Sequence, residues 1–150
     1  RIPLLGSEVE IVIDFNPIHR VTKCVLDGDR LRVTTNKPDP TTRITRFLKD
    51  LAAQEFLVLA REKAAPLGKS VATVTVRDMA TRWGSCGPDG NMSLNWRLIF
   101  APALAIDYVI AHEVAHLIHH NHGPRFWKLC TELSKDFSTG SQWMRDHGHI

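Results

Sequence analysis

Cysteine is scarce in this sequence, and its pattern excludes a disulfide-stapled fold. The three cysteines, Cys24, Cys86 and Cys130, are an odd number, are far apart and form no CxxC pair. They predict no disulfide framework. A reducing, cytoplasmic location is the simplest expectation from this usage.

Long hydrophobic runs are also missing. A membrane-spanning helix needs roughly 20 mostly apolar residues, and the longest candidate, residues 101–118, is interrupted by Asp107, His112, Glu113 and His116. No secretory signal is visible at the start of the chain, although its first residue is not methionine. We therefore expect no membrane partner.

Neither sign of charge dominates the composition. The net charge is +3, with 43% hydrophobic and 23% charged residues, which is typical of soluble globular domains and excludes long disorder or coiled coil. The length fits one domain, or one domain with a small appendage. Most of the basic excess lies in residues 41–75, where a solvated helix face explains it at least as well as a nucleic-acid surface.

Hydrophobic periodicity divides the chain into a β-rich start and a larger mixed segment. Alternating apolar residues predict a β-unit over 1–36, either as an appendage or as part of the same domain. The second segment, 37–150, has turn residues and helical spacing in alternation. The predicted elements are strands at 9–15, 20–26, 31–35, 71–76 and 92–98, helices from Pro40 to about Pro66, from Pro102 to about His119 and after Pro124, and a short tail around Trp143.

Histidine is abundant, and five of the eight histidines lie within residues 112–122. His112 and His116 are four positions apart, so on a helix both imidazoles share one face and can bind one metal ion. Glu113 lies about 100° further round the helix, from where it can reach a water on the metal. Two ligands and one general base in this spacing are typical of an HExxH site. The apolar neighbours favour a buried helix, in which these polar groups are costly unless they are paired or metal-bound.

A catalytic zinc usually has three protein ligands, and the sequence offers several candidates for the third. His119 is about 10.5 Å from His112 along a straight helix, which is too far to share the ion, and His120 points elsewhere. We expect His119 and His120 to be solvated or to support the ligands. His122 can reach the metal if the helix ends first and the chain turns back. We favour His122, with Glu132 on the following helix as the rival.

The chemistry predicted for such a site is hydrolysis. Zinc lowers the pKa of a bound water to about 7, and Glu113 would accept the proton. The developing oxyanion needs a cationic or hydrogen-bonding partner, and Arg82, Asn95 and Arg97 are all candidates. One zinc ion per chain is the expected cofactor, although His-rich sites also accept nickel and cobalt.

Four stretches together resemble the YgjP-like zinc metallopeptidase family, which is related to the SprT-like and WLM proteases. They are RWGSC at 82–86, NWRLIFAP at 95–102, DYVIAHEVAHLIHHNHGPRFW at 107–127 and WMRDHG at 143–148. Metzincins place a glycine three residues after the second ligand, where this chain has His119. The resemblance is therefore not to the metzincins.

The resemblance implies a zincin-like α+β domain with a small, mostly antiparallel sheet, an active-site helix and a C-terminal helix. It implies His122 as the third ligand, followed by Gly123 and Phe126. It also implies an edge strand near 82–86 beside the cleft, where an extended peptide could pair. The residues expected to contact substrate are Arg82, Trp83, Ser85, Asn95 and Arg97, with Cys86 nearby.

Three functions compete on these observations. The first is a zinc-dependent peptidase acting on peptides or proteins. The second is a metal-dependent nucleoside triphosphate pyrophosphatase, in which Arg82 and Arg97 hold phosphates, although the chain has no P-loop or Gly-rich phosphate cradle. The third is a non-catalytic zinc-binding module with affinity for nucleic acid. The presence of Glu113 argues against the third function, because a structural zinc site needs no base.

Overall fold

A computed structural model describes residues 1–79, 82–87 and 89–147. The predicted α+β class is confirmed, with small β-sheets packed against helices. The strands are β1 (Ile2–Leu4), β2 (Ser7–Phe15), β3 (Lys23–Asp27), β4 (Arg30–Thr35), β5 (Thr73–Arg77), β6 (Gly84–Cys86) and β7 (Asn91–Asn95). The α-helices are α1 (Thr41–Ala64), α2 (Ala103–Ala115), α3 (Pro124–Leu133) and α4 (Phe137–His147), and 3₁₀ turns cover Ala65–Leu67 and Trp96–Phe100.

The strands form two sheets, each of which contains one parallel pair. The N-terminal sheet has the order β1-β2-β4-β3, with β2 and β4 parallel and the other pairs antiparallel. The second sheet has the order β5-β7-β6, with β5 and β7 parallel and β6 antiparallel to β7. Strand β6, which carries the Gly-Ser-Cys part of the RWGSC stretch, is therefore an edge strand.

The N-terminal sheet shares its hydrophobic core with the rest of the chain. Leu31 and Val33 of β4 are fully buried in one cluster with Leu48 and Phe56 of α1. Residues spaced along one face of a helix in this way form an apolar stripe. This shared core supports the expectation that residues 1–36 belong to the same domain as residues 37–150. The boundary between these two segments stays a prediction.

Two elements end earlier than their hydrophobic patterns predict. Helix α2 stops at Ala115 rather than near His119, because the amides of Leu117 and Ile118 bond to carbonyls three residues back and tighten the last turn. The strand predicted over 92–98 ends at Asn95, whose side chain accepts a hydrogen bond from the Arg97 amide at 3.1 Å and starts the 3₁₀ turn.

Helix α4 replaces the short tail expected around Trp143. Its serine, threonine and glycine residues are weak helix formers, so packing against α2 must stabilise it. At Gly140 the two helices approach so closely that a Cβ atom would lie 2.5 Å from the Leu104 carbonyl oxygen and 2.6 Å from the Tyr108 Cβ.

Substituting Gly140 by alanine is therefore expected to destabilise the protein. The gain of up to about 1 kcal/mol in helix propensity is outweighed by overpacking, which typically costs about 1–3 kcal/mol, and by displacement of α4. Thermal unfolding monitored by circular dichroism measures the effect. Gly123→Ala is the matched control, because a Cβ there would meet nothing within 4 Å. Equal melting temperatures for the two variants would contradict the close packing of α4.

Candidate metal and catalytic site

Three histidine side chains converge where α2 ends and α3 begins. The ligand nitrogens of His112, His116 and His122 all lie within 4.8 Å of one another. The Nε2 atoms of His116 and His122 are 3.0 Å apart. This donor set suits zinc, and also nickel or cobalt, since these metals prefer imidazole ligands.

The early end of α2 makes this convergence possible. After Ala115 the chain tightens into 3₁₀-type bonds, and a bond of 2.8 Å from the Gly123 amide to the Asn121 carbonyl completes the reversal before Pro124 starts α3. A helix continued to His119 would delay this reversal. The exposed His122 side chain is thereby brought back over the last turn of α2.

Phe126 of α3 forms the floor under the three imidazoles. It is fully buried, and its ring centroid lies 5.0, 4.5 and 4.8 Å from those of His112, His116 and His122. Ring separations in this range correspond to favourable aromatic packing. Phe126 therefore orients all three rings toward the same side.

His119 takes part through its main chain rather than its side chain. Its carbonyl accepts a hydrogen bond from His116 Nδ1 at 3.0 Å, which fixes the Nδ1–H tautomer and leaves Nε2 of His116 free as a ligand. Burial lowers the pKa of His116, which favours the neutral imidazole that binds metals. Sequence reasoning treated only the His119 side chain and missed this contact.

Glu113 is a buried carboxylate next to the three histidines. It is 5% exposed, and its Oε2 accepts a hydrogen bond of 3.1 Å from His112 Nδ1. Strand β6 passes close to it because residue 84 is glycine: a Cβ there would lie 3.3 Å from Glu113 Oε2 and 2.8 Å from Leu94 Cδ2. The carboxylate is thus held between α2 and the edge strand β6.

Two adjoining cavities open along this junction of α2 and β6. Both are lined by Arg82, Gly84, His112 and Glu113. The metal-side cavity, of about 320 Å³, continues over Ser85, Cys86, His116, His120 and His122. The apolar cavity, of about 270 Å³, continues over Trp83, Tyr108, Val109 and Met144.

The residues expected to contact substrate separate into two groups. Arg82, Trp83 and Ser85 line the cavities. Asn95 and Arg97 are in neither lining; Asn95 is fully buried, and its side chain donates to the Met79 carbonyl at 3.1 Å and accepts from the Arg97 amide. A substrate role for Asn95 and Arg97 stays a prediction that this geometry does not support.

Asp78 explains the position of the Arg97 side chain. It accepts hydrogen bonds from the Trp96 indole at 2.6 Å and from the Arg97 guanidinium. The hydrogen bond from Trp96 and the contacts with Arg97 hold the pKa of Asp78 below its usual value. The Arg97 guanidinium lies 5.1 Å from the centroid of the Trp96 ring, so it is engaged in local structure.

The rival third ligand, Glu132, does not join the three histidines. Glu132 is exposed on α3 and is not in the converging group. Burial and the nearby Glu113 carboxylate raise the pKa of Cys86, which lines the metal-side cavity, to about 11. Gly148 of the WMRDHG stretch lies outside the described residues.

One solved structure supports this architecture. The abylysin metallopeptidase zymogen of Pyrococcus abyssi matches with a TM-score of 0.50 and 16% identity, over 63% of this chain and 93% of that chain. Such identity speaks for the fold alone. Wss1 from Saccharomyces cerevisiae matches with a TM-score of 0.48 and 17% identity, over 99% of each chain. No curated protein matches the sequence.

Within the described residues, no helix is long and apolar enough to span a bilayer.

A model of the YgjP-like metallopeptidase domain matches residues 1–147. Because that match covers nearly the whole sequence, the chain belongs to the YgjP-like metallopeptidase family.

Proposed function

We propose that the protein is a zinc-dependent peptidase in which His112, His116 and His122 hold one metal ion per chain and Glu113 is the general base. The observation that carries this proposal is the convergence of three imidazole nitrogens within 4.8 Å beside a buried carboxylate. Three protein ligands leave a coordination position free, as catalytic zinc sites require.

Each residue has a chemical task in this proposal. Zinc, when bound, lowers the pKa of water to about 7 and polarises the scissile carbonyl. Glu113 accepts the proton of the attacking water at a carboxylate oxygen and passes it to the leaving amine. Its burial between α2 and Gly84 restricts its movement, so little reorganisation is needed as the proton moves. Phe126 and the His119 carbonyl hold the imidazoles in place.

Arg82 is the best placed of the three residues considered for stabilising the oxyanion. It is exposed and lines both cavities beside His112 and Glu113. Asn95 and Arg97 have their polar groups engaged elsewhere. A guanidinium beside the reacting carbonyl would favour the developing negative charge.

An extended peptide is the substrate that this cleft suits best. Strand β6 is the edge of its sheet and lines both cavities, so a peptide can add to it by main-chain hydrogen bonds. The two alternatives gain no support from the structure. Arg97, one of the two arginines considered for holding phosphate, is engaged with Asp78, and the matching family model describes a metallopeptidase domain.

Metal analysis tests the ligand set. Purified protein offered zinc is expected to contain about one zinc per chain by mass spectrometry, and His122→Ala to lose most of it. His119→Ala is the matched control, because it keeps the carbonyl that orients His116 and should retain its zinc. Equal zinc in all three proteins would contradict the role of His122.

Substrate panels test the reaction class. The zinc-loaded protein should cleave unfolded protein or a peptide library and leave nucleoside triphosphates intact. Hydrolysis of nucleoside triphosphates without peptide cleavage would overturn the peptidase proposal in favour of a phosphoanhydride hydrolase.

A further inference from the structure

We infer that the apolar cavity is a specificity subsite, which accepts one apolar side chain of the substrate next to the scissile bond. This inference rests on the proposed peptidase function and deepens it, because it names the class of peptide that the site prefers.

The walls of the cavity come from three parts of the chain that are distant in sequence. Trp83 precedes β6, Tyr108 and Val109 lie on α2, and Met144 lies on α4. Val109 is buried, while the other three are partly buried and pack against the main core. These large side chains surround an open volume beside the buried Glu113 carboxylate. They therefore form a preformed apolar recess, as ligand sites commonly do.

Helix α4 is held rigidly enough to serve as one wall. Gly140 allows its backbone to contact α2 at Leu104 and Tyr108, and Phe137 packs edge-on against the Tyr108 ring with centroids 5.5 Å apart. Met144 lies one turn beyond Gly140 on the same face of the helix. Two walls of the cavity are therefore packed helices, α2 and α4, while Arg82 and Trp83 complete it from the segment before β6.

The position of the cavity relates it to the reacting bond. It shares Arg82, Gly84, His112 and Glu113 with the metal-side cavity. A peptide carbonyl over the three histidines would consequently have a neighbouring residue at the apolar cavity. Successive side chains of an extended chain point to opposite faces, so one flanking side chain can enter while the next one points away.

The charges around the cavity favour an apolar occupant. Among the described lining residues, the only carboxylate is Glu113 and the only permanent cation is Arg82, which is exposed. Because the proposed mechanism assigns Arg82 to the oxyanion and Glu113 to the attacking water, a carboxylate or ammonium from the substrate would be desolvated against Trp83, Val109 and Met144 without a partner of its own, which is costly. A volume of about 270 Å³ is below the roughly 300–1,000 Å³ of small-molecule sites, as expected for a recess that takes one side chain.

The first experiment compares substrates. Peptides of one sequence would carry Leu, Phe, Gly, Asp or Lys in turn at each position flanking the cleaved bond, and kcat/KM would be measured with the zinc-loaded protein. At one of the flanking positions we expect Leu and Phe to exceed Gly, Asp and Lys by about tenfold or more. Equal rates at both positions would overturn the inference.

The second experiment changes the wall. Met144→Trp should fill the recess, lowering kcat/KM for the Leu and Phe peptides by about tenfold or more while sparing the Gly peptide. Gln142→Trp places the same side chain on an exposed position of α4 and should leave the preference unchanged. A uniform loss for all peptides in Met144→Trp would indicate structural damage and would also count against the subsite.

Binding separates this inference from the proposed function. The Glu113→Gln protein should bind the Leu peptide more tightly than the Asp peptide in calorimetry, and the added Met144→Trp change should remove that difference. If the wild-type protein cleaves no peptide but this binding preference is present, the peptidase proposal fails and the apolar recess stands. If peptides are cleaved without any preference in rate or binding, the recess fails and the peptidase proposal stands. Absence of both cleavage and preferential binding overturns both.

Discussion

Glu113→Gln is expected to lower kcat for peptide hydrolysis by about 100- to 10,000-fold, the usual contribution of a general base. Glutamine keeps the size of the side chain and can still hydrogen-bond, but it cannot accept the proton of the attacking water. The zinc content should stay near one ion per chain, because the three histidines supply the ligands. Steady-state kinetics with metal analysis on the same samples measure both quantities.

Glu132→Gln is the matched control for that substitution. It removes an exposed carboxylate on α3 and should change neither rate nor metal content. Loss of zinc from Glu132→Gln would instead make Glu132 the third ligand. A Glu113→Gln protein that still turned over at the wild-type rate would show that the measured hydrolysis comes from another site or a contaminant.

Lys63→Met is expected to lower the free energy of unfolding by about 3–5 kcal/mol, because it leaves a buried carboxylate without a counter-charge. The Lys63 ammonium is buried on α1, 2.6 Å from Asp107 Oδ1 and 2.6 Å from the Leu133 carbonyl. Asp107 of α2 also accepts the Lys135 amide at 2.7 Å. This ion pair therefore joins α1 and α2 to the chain between α3 and α4.

Urea unfolding of a double-mutant cycle measures the coupling in this pair. Lys63→Met with Asp107→Leu should recover part of the loss, since no buried charge remains, although the Leu133 carbonyl and the Lys135 amide then lack these partners. Lys49→Met makes the same substitution in a partly exposed ion pair on α1 and should cost much less. If Lys63→Met and Lys49→Met lowered the free energy of unfolding equally, the buried ion pair would contribute little to stability.

Much of the candidate site is predictable because its key spacing is local. His112, Glu113 and His116 lie within one and a half turns of one helix, and helical periodicity alone determines their relative directions. The choice of His122 over Glu132 needed the family resemblance as well, since it depends on where α2 ends. That end is determined by the tightened last turn after Ala115, which the apolar pattern does not reveal.

Elements with weak local preferences were harder to predict. Helix α4 contains serine, threonine and glycine residues that favour turns in isolation, and it becomes a helix through its contact with α2 at Gly140. Asn95 and Arg97 have the chemistry of substrate contacts, but the tertiary structure engages their polar groups with Met79 and Asp78.

The amino-acid sequence by itself determined the HExxH spacing, and through its resemblance to a known family it also indicated the family and the fold class, because the residues of each motif are close in the chain. The tertiary structure alone decided that Phe126 lies under all three imidazoles, that Lys63 neutralises Asp107 and that Met144 closes a recess beside Glu113. Such contacts join different elements. They form only when the elements bury their apolar faces together, and the sequence pattern of each element does not specify its partners.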